Sequence, residues 1–332
     1  MDDVNGTKRP RRRARLKKIA WVALAVVVVP YLCSRGLAPL NQVRVFGPES
    51  PVAHTADLAR ENKLKVVAYN IAHGRGMAET NWAGDRLGRL GEIAQRLKTI
   101  DADVVVLNEV DFDCSWSHGI NQAAWIAQHA GYNYRVEECN LDFRVLFWRW
   151  RFGNAVLSKH PISDASVIDL PGYAMWESVL AGKKRAVACT VRNGDRQTRV
   201  IGAHLSPRSE SLRVESCKKI IAAARSSNLT CIVAGDFNSA PMDYPVHEVD
   251  GLQQNAIDVM DAAEWFTRIP RELNKQHYTF PADDPNRIID WIFIPKNAEI
   301  VGYSVDPSEF SDHRAVVATI RYSDSVTTKP AK

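Results

Sequence analysis

Residues 230–241 read TCIVAGDFNSAP. The apolar run at the start of this stretch predicts a short buried strand, and two polar residues, Asp236 and Asn238, follow it closely. Strand ends are rigid and open to solvent, so a layered fold places functional groups there. A lone aspartate after a strand is more often a turn former or a helix cap. This stretch therefore predicts a functional site only if polar residues at the ends of other strands lie close to it.

Similar junctions recur along the rest of the chain. Polar residues at or beside the ends of apolar, strand-like runs are Asn70, Glu109, Asn154, His204, Asp312 and His313. Asp290 is different, because it lies within the apolar run RIIDWIF. A carboxylate buried there costs on the order of several kcal/mol unless it is paired, and a protonated histidine would suit it. We treat these residues as candidates for one shared site.

The segments around these junctions predict an α/β fold. Buried strands are predicted at 103–107 and 230–234, a further strand is predicted at 65–71, and apolar residues spaced as on one helix face occur at 87–100. Asn193 and Gly194 between two strand-like runs are a strong hairpin signal. Hairpins combined with helices argue for a layered α/β sandwich and against a purely parallel doubly wound sheet.

The chain begins with a basic run that is followed by an uncharged, apolar one. The positive-inside rule then predicts a basic cytoplasmic tail at 1–18 and a single-pass transmembrane signal anchor at 19–34. A cleaved signal peptide and a lipoprotein cysteine at Cys33 are the alternatives. The remaining segments are predicted as a linker, one extracytoplasmic domain and a flexible tail: 35–62, 63–322 and 323–332.

Charge and cysteine content bear on partners and compartment. The 332 residues carry a net charge of +5, but residues 1–18 carry +6, which leaves −1 for the rest. A general nucleic-acid binder usually has a basic body, because phosphate contacts dominate its affinity. Cys114 and Cys139 flank a loop-rich segment and could pair in an exported domain. Cys189, Cys217 and Cys231 lie in apolar runs, which predicts core packing.

Seven motifs occur in an order that resembles one known superfamily. They are VVAYNIAHGRG (66–76), VVVLNEVD (104–111), GNAVLSKHPI (153–162), IGAHLSP (201–207), VAGDFNSAP (233–241), IIDWIFI (288–294) and SDHRAV (311–316). In this order they resemble the endonuclease/exonuclease/phosphatase superfamily, which includes DNase I. The first two look most like a bacterial branch with an opening YNIHHG, where this chain has Ala72 in place of the first histidine. The resemblance implies a DNase I-like four-layer α/β sandwich, preceded here by one transmembrane helix.

The resemblance also implies roles for the candidate residues. The catalytic group is Asp236, Asn238, His204, Asp290 and His313, the implied metal ligands are Glu109, Asn70 and Asp312, and Asn154 binds or positions the substrate. In these roles Asp236 orients or deprotonates the attacking water, and Asp290 pairs with His313, which stabilises charge on the phosphate. Oxygen ligands suit Mg²⁺, or Mn²⁺ or Ca²⁺, better than Zn²⁺. From the residues alone, Arg185 at a strand start is a further substrate-binding candidate, and His73 and Arg75 are lesser ones.

These observations favour a membrane-anchored, divalent-metal-dependent phosphodiesterase. The anchor would hold the site at the outer face of a membrane, which favours a phospholipid or sphingolipid headgroup as the phosphate-ester substrate. The run VLFWRWRF (145–152) suits a membrane interface or stacking on bases, unless it packs in the core. The alternative enzyme is an extracytoplasmic nuclease, with nucleic acid as the less favoured partner. A catalytically silent lipid- or partner-binding module is the alternative from another class. We expect a monomer.

Overall fold

The computed structural model describes residues 8–48, 62–80, 83–174, 182–247 and 250–322. The helices in these ranges are α1 (Lys8–Leu37), α2 (Arg86–Ile100), α3 (Gln122–Ala130), α4 (Glu210–Ser226) and α5 (Ala256–Ala262). The strands are β1 (Val43–Phe46), β2 (Lys63–Asn70), β3 (Val104–Asp111), β4 (Tyr134–Val145), β5 (Trp148–Ser158), β6 (Ile162–Asp169), β7 (Arg185–Asn193), β8 (Arg196–His204), β9 (Thr230–Asp236), β10 (Phe266–Ile269), β11 (Asp290–Pro295), β12 (Glu299–Val305) and β13 (Val316–Arg321).

The strands form two sheets. A seven-stranded sheet has the order β1-β4-β5-β3-β2-β13-β12, and a six-stranded sheet has the order β10-β11-β9-β8-β7-β6. The pairs β2/β3 and β8/β9 are parallel, and their connections contain α2 and α4. The other neighbouring pairs are antiparallel, including the predicted hairpin β7/β8. This combination of hairpins and helical crossovers confirms the predicted layered sandwich.

Three apolar cores connect four layers. α2 and α3 pack on the outer face of the seven-stranded sheet, α4 and α5 pack on the outer face of the six-stranded sheet, and the third core lies between the sheets. Strand alternation explains this division. In β2, Val66 and Ala68 belong to the core between the sheets, whereas Val67 and Tyr69 belong to the core under α2 and α3.

The N-terminal helix is longer than the predicted anchor. α1 contains the apolar run and also residues 8–18, which we predicted as a basic tail. Within the described part of the chain, residues 12–34 form the one helical segment that is long and apolar enough to cross a membrane. Signal sequences near an N-terminus meet the same criterion. The structure therefore supplies a candidate span, and it leaves orientation and cleavage as predictions.

The predicted linker contains an edge strand, which corrects that prediction. β1 pairs antiparallel with β4, with Val43 opposite Glu138, and the Cys139 N–H donates to the Gln42 carbonyl (2.9 Å). Residues 43–46 therefore extend the seven-stranded sheet. Residues 49–61 of the predicted linker and the whole predicted tail, 323–332, lie outside the described residues.

All six cysteines are free thiols. The suggested Cys114–Cys139 pairing is therefore wrong for this structure. Both thiols are buried; the Arg151 backbone N–H donates to Cys114 Sγ (3.1 Å), and the charge of its guanidinium acts on the Cys139 thiol. Burial raises the pKa of the Cys139 thiol to about 12, so it is an unreactive thiol at neutral pH. The core packing predicted for the other three buried cysteines is confirmed.

Gly235 occupies a position in β9 that has no room for a side chain. Its φ is +137°, and a Cβ there would clash with the Ala203 carbonyl and lie 2.8 Å from Asn108 Oδ1. We expect Gly235→Ala to lower the free energy of unfolding by roughly 2–4 kcal/mol, through backbone strain and overpacking. Urea denaturation measures this change. Gly302→Ala is the matched control, because nothing lies within 4 Å of a Cβ there. Equal losses in the two variants would contradict the prediction.

Candidate active site

Polar residues from both sheets meet where the central strands end. In the six-stranded sheet, Asp236 of β9 lies opposite Asp290 of β11 and opposite His204 of β8. In the seven-stranded sheet, Asn70 of β2 lies opposite Asn108 of β3. Two hydrogen bonds join the sheets here: the Asp236 N–H donates to Asn108 Oδ1 (2.9 Å), and Asn70 Nδ2 donates to Asp236 Oδ2 (3.0 Å). Residues that are far apart in sequence thus lie side by side.

Glu109 reaches this group because β3 is bulged. Asn108 and Glu109 together lie opposite one residue of β5, Asn154, since the register of β3 against β5 shifts there. Glu109 has φ +52°, and a bulge of this kind re-aims a side chain. Its Oε1 accepts a hydrogen bond from Asn70 Nδ2 (3.3 Å), and 27% of its side chain is exposed. Glu109 is therefore much more open to solvent than Asp236, whose side chain is 2% exposed.

Donors hold both carboxylate oxygens of Asp236. Oδ1 accepts from the Asn238 N–H (2.8 Å), and Oδ2 accepts from Asn238 Nδ2 (3.2 Å) and from Asn70. Asn238 has φ +50°, a left-handed conformation that asparagine adopts more readily than most residues. In this conformation, both the backbone N–H and the side-chain amide of Asn238 point back to the Asp236 carboxylate. The orientation of Asp236 is therefore fixed by the protein itself.

His313 and Asp290 form a buried pair beside Asp236. His313 Nδ1 lies 2.9 Å from Asp290 Oδ2, and its Nε2 lies 3.8 Å from Asp236 Oδ2. Because Asp290 accepts the proton on Nδ1, the Nε2 of His313 faces the centre of the site. On the other side, His204 Nε2 lies 3.7 Å from both Asp236 Oδ2 and Glu109 Oε1. Two imidazoles therefore flank one carboxylate.

The two histidines differ in charge. Burial alone would lower the pKa of His313, but the charges of Asp290 and Asp236 outweigh burial and raise that pKa to about 10. Burial lowers the pKa of His204 to about 3, and the charge of Lys184 adds to this effect. Burial also raises the pKa of Asp236 above its usual range, and the charge of His313 opposes that rise. At neutral pH, His313 is a cation and His204 is a neutral imidazole.

His73 joins Glu109 to a second carboxylate. Its Nδ1 lies 2.7 Å from Asp111 Oδ1, and its Nε2 lies 3.5 Å from Glu109 Oε2. Burial alone would lower the pKa of His73, but Asp111 raises it above the usual value. Burial would likewise raise the pKa of Glu109, but positive charges, led by that of His73, lower it to about 2. Glu109 is therefore ionised at neutral pH, and His73, a lesser candidate from sequence, contacts it.

The donor set fits a hard divalent cation. Ligand atoms of Asp236, Asp290 and His313 lie within 4.8 Å of one another. Among the described residues, Asp290 Oδ1 is buried with no hydrogen-bond partner, so it has lone pairs to offer. Asn70 connects this cluster to the ionised Glu109. Most of these donors are oxygens, which suit Mg²⁺, Mn²⁺ or Ca²⁺ better than Zn²⁺.

Asp312, the third implied metal ligand, faces an arginine. Its Oδ2 lies 2.6 Å from Arg75 Nη2, while its Oδ1 lies 4.0 Å from His313 Nε2. The structure thus brings Asn70 and Glu109 into direct contact and places Asp312 on the His313 side of the site. Arg75, the other lesser candidate from the first motif, is engaged by Asp312 and by the Ala78 carbonyl.

Asn154 lies behind the carboxylates and supports them. It is fully buried, its Oδ1 accepts from Asn108 Nδ2 (2.7 Å), and its Nδ2 donates to Glu138 Oε2 (2.8 Å) and to the Arg185 carbonyl (3.1 Å). Asn108 in turn accepts from the Asp236 N–H. Asn154 therefore acts on Asp236 through Asn108, and its amide is committed to the protein.

Arg185 is also committed to the protein. Its Nε donates to Asp169 Oδ1 (3.0 Å), and its Nη1 donates to the Cys139 carbonyl (2.7 Å). The residue is 7% exposed. Arg185 therefore ties the start of β7 to β6 and β4. The sequence offered Arg185 as a substrate-binding candidate, whereas here its guanidinium is hydrogen-bonded within the protein.

Asn154→Ala should weaken both the fold and the site. The substitution leaves the amide of Asn108 and the carboxyl of Glu138 short of a buried partner, so we expect a loss of about 1–3 kcal/mol in the free energy of unfolding. Turnover per folded molecule should fall as well, because Asn108 loses its support. Urea denaturation and kcat measured on the same preparation check both effects. The exposed Asn297 supplies the control Asn297→Ala, which should change neither quantity.

Residues 67–313 match the sequence profile described as the Endonuclease/Exonuclease/phosphatase family. The chain belongs to this family. The match spans the seven motifs except Val66, which begins the first, and residues 314–316, which end the last. It contains every candidate site residue. No curated protein matched the chain.

Solved structures share the DNase I-like fold at low sequence identity. An endonuclease/exonuclease/phosphatase from Beutenbergia cavernae DSM 12333 is 23% identical, with a TM-score of 0.59, over 79% of this chain and 72% of that one. A humanized D. rerio TDP2 is 16% identical, with a TM-score of 0.55, over 79% and 100% of the respective chains. The human Nocturnin catalytic domain with bound sulfate anion is 17% identical, with a TM-score of 0.55, over 85% and 98%.

The sequence reasoning gave no role to three residues that the structure places in the site: Asn108, Asp111 and Lys184. Asn108 and Asp111 flank Glu109 within the apolar strand VVVLNEVD, and polar residues inside such a strand are a signal that could have identified them. Lys184 precedes β7 in a basic run, and its charge acts on Glu109 and His204. Nothing in the local sequence distinguishes Lys184 from its neighbour Lys183.

Proposed function

We propose that this family member is a membrane-anchored, divalent-metal-dependent phosphodiesterase whose favoured substrate is a phospholipid or sphingolipid headgroup. The observation that carries the proposal is that Asn70 bonds both Asp236 and Glu109 while a protonated His313 lies beside Asp236. Hydrolysis of a phosphodiester needs a positioned water, neutralised phosphate oxygens and a stabilised leaving group. In this group of side chains, Asp236 can position the water, and His313 and a cation at Glu109 can neutralise the phosphate oxygens.

In this proposal Asp236 orients the attacking water and accepts its proton. Asn70 and Asn238 already hold the carboxylate in a fixed orientation. The water oxygen forms the new bond to phosphorus as the bond from phosphorus to the ester oxygen breaks, and the departing alkoxide takes a proton from solvent. His313, kept protonated by Asp290, donates from Nε2 to a phosphate oxygen and stabilises the charge that develops there.

A divalent cation would be held by Glu109 and Asn70, with Asp312 completing the site. When bound, such an ion polarises a phosphate oxygen and offsets its negative charge. Glu109 suits this role because it is ionised and is the more exposed carboxylate. Among the described residues, no Cys–His arrangement accompanies it, so the donor chemistry favours Mg²⁺, Mn²⁺ or Ca²⁺.

Two observations support a membrane location for this chemistry. The apolar helix α1 carries basic residues on its N-terminal side, which predicts a cytoplasmic N-terminus and an extracytoplasmic domain. The end of α1 is also hydrogen-bonded to the domain, since Ser34 Oγ donates to the Asp142 carbonyl (3.3 Å) and accepts from the Arg144 N–H (2.9 Å). Such an anchor would hold the domain against the lipid surface.

A turnover screen of the full chain in lipid nanodiscs tests the proposal. The substrates are bis-p-nitrophenyl phosphate, sphingomyelin, phosphatidylinositol and plasmid DNA, each with Mg²⁺, Mn²⁺, Ca²⁺ or EDTA. We expect lipid and bis-p-nitrophenyl phosphate hydrolysis that requires the metal. DNA nicking without lipid turnover would replace the proposal with the nuclease, and no turnover of any substrate would replace it with the silent binding module.

A further inference from the structure

A continuous row of aromatic rings leads from the candidate active site to the end of α1. The row runs through His73, Phe152, Trp116, Trp150, Phe143 and Tyr31, with successive ring centroids 5.3, 5.8, 6.1, 4.8 and 5.3 Å apart. A branch continues from Trp150 through Trp148 to Phe147, at 6.1 and 5.4 Å. We call these rings the aromatic row. One end touches Glu109 through His73, and the other end touches the candidate membrane helix.

Strand geometry produces this row. Alternate residues of a strand share a face, so Trp148, Trp150 and Phe152 point to the same side of β5. Phe143 of β4 lies opposite Trp150 in the hairpin register and adds its ring to that side. The intervening Arg149 points to the other face. Rings and charges in this hairpin are therefore separated onto two faces.

The tip of the β4/β5 hairpin is apolar and exposed. Leu146 is 58% exposed, Phe147 is 79% exposed and Trp148 is 37% exposed. Turns are usually built from small and polar residues, so three large apolar side chains in sequence at a turn indicate a contact surface. The sequence left open that the run 145–152 packs in the core, but the residues at the hairpin tip are exposed.

The position of the hairpin identifies what this surface contacts. Ser34, at the end of the candidate span, is hydrogen-bonded to the backbone of β4 on either side of Phe143, and Tyr31 packs against the Phe143 ring. A helix that crosses a bilayer leaves it at this end. With residues 12–34 as the membrane span of the proposed function, the hairpin lies where the chain leaves the lipid, at the depth that tryptophan prefers.

The two arginines that alternate with the rings on β5 argue against a nucleic-acid track along this strand. A track for single-stranded nucleic acid needs cations beside the stacking rings. Here Arg149 and Arg151, the two cations that alternate with the rings, both face Asp113, at 3.4 and 3.8 Å from its Oδ2. Arg151 is also close to Glu137 and Asp142.

We propose that the aromatic row is a lipid-binding surface, on which the apolar part of a membrane phosphodiester lies while its phosphate reaches the site beside Glu109. This proposal rests on the proposed function: the identity of the substrate rests on its phosphodiesterase chemistry, and the contact between the hairpin tip and lipid rests on its membrane anchor alone. The occupant is an acyl or sphingoid chain of the bilayer. The row would guide the substrate from the bilayer to the carboxylates without its full extraction into water.

Quenching by brominated lipid tests the contact without any need for turnover. The full chain is placed in nanodiscs of phosphatidylcholine brominated on its acyl chains, and tryptophan quenching is compared between the wild type, Trp148→Phe and Trp265→Phe. Trp265 is the matched control, because it is 43% exposed and lies beside β10 of the other sheet. We expect Trp148→Phe to remove a quenched component and Trp265→Phe to remove none. Equal quenching in all three proteins would overturn the proposal.

Turnover then tests the link to the active site. The double variant Phe147→Ser/Trp148→Ser should lose at least tenfold in hydrolysis of the lipid that the wild type cleaves, and should keep its kcat/KM for bis-p-nitrophenyl phosphate within twofold. Unchanged lipid hydrolysis, or an equal loss on both substrates, would overturn the guiding role. Competition by a single-stranded oligonucleotide that the double variant abolishes would assign the row to nucleic acid instead. If the wild type cleaves neither substrate, the proposed function fails, and the quenching result still decides the lipid contact.

Discussion

Replacement of Asp236 by alanine should lower kcat/KM for bis-p-nitrophenyl phosphate by at least about 10³-fold, which is the scale of removing a positioned base together with an electrostatic contact. Asp236 is the carboxylate on which Asn70, Asn238 and His313 converge. The neighbouring Asp290 already accepts from His313 through Oδ2. Initial-rate kinetics of the purified variant measure the effect.

The fold should survive this substitution. The loss of the carboxylate leaves the donors of Asn70 and Asn238 without that acceptor, which costs about 1–3 kcal/mol, but it also removes one negative charge from an acidic cluster. The matched control is Asp243→Ala, because Asp243 is exposed and lies a few residues further along. A variant of Asp236 that keeps more than a tenth of wild-type activity would eliminate the proposed role.

Replacement of Asp290 by asparagine should lower kcat by on the order of 10²-fold. It should also shift the alkaline limit of the active pH range to a lower pH. His313 acts as a cation, so activity falls as the pH rises through its pKa. Burial alone would lower that pKa, and the charge of Asp290 is the main reason that it is raised to about 10. Without this charge the pKa of His313 falls, and the loss of activity begins at a lower pH.

A pH–rate profile distinguishes this effect from a structural one. General damage to the fold would lower the rate at every pH and leave the alkaline limb where it is, whereas loss of the Asp290 charge moves the limb. Asp284→Asn is the matched control, since Asp284 is exposed and lies shortly before β11. An Asp290→Asn variant with an unmoved alkaline limb would mean that His313 does not act as the protonated group.

The residues near the strand ends show which features of the fold and site could be predicted from the sequence. The apolar runs before Asp236 and Glu109 predicted buried strands, because short runs of apolar, β-branched residues are typical of strands in a sheet that is covered on both faces. The isolated carboxylate in RIIDWIF correctly predicted a histidine partner, since an unpaired buried charge is too costly. The motif order then indicated the family, which the match over residues 67–313 confirms.

Other features required partners that only the folded chain supplies. β4 contains Glu137 and Glu138, both buried, in a stretch that is too polar to be predicted as a core strand. Arg135 is 2.9 Å from Glu137, and the Asn154 amide binds Glu138. Neither contact can be seen from sequence. β1 was missed for a similar reason, because its four residues become a strand only by pairing with β4.

The sequence by itself determined the alternation of strands and helices, the candidate span and the residue types available to the candidate site, since these depend on local hydrophobic pattern and on residue chemistry. The tertiary structure decided which of those groups meet. Asn108 and Asp236 are 128 positions apart and share a hydrogen bond, while Arg185 and Asn154 turn their polar atoms into the protein. Contacts of this kind depend on how two sheets pack and on one bulge at Glu109, which are properties of the whole fold and of no single segment.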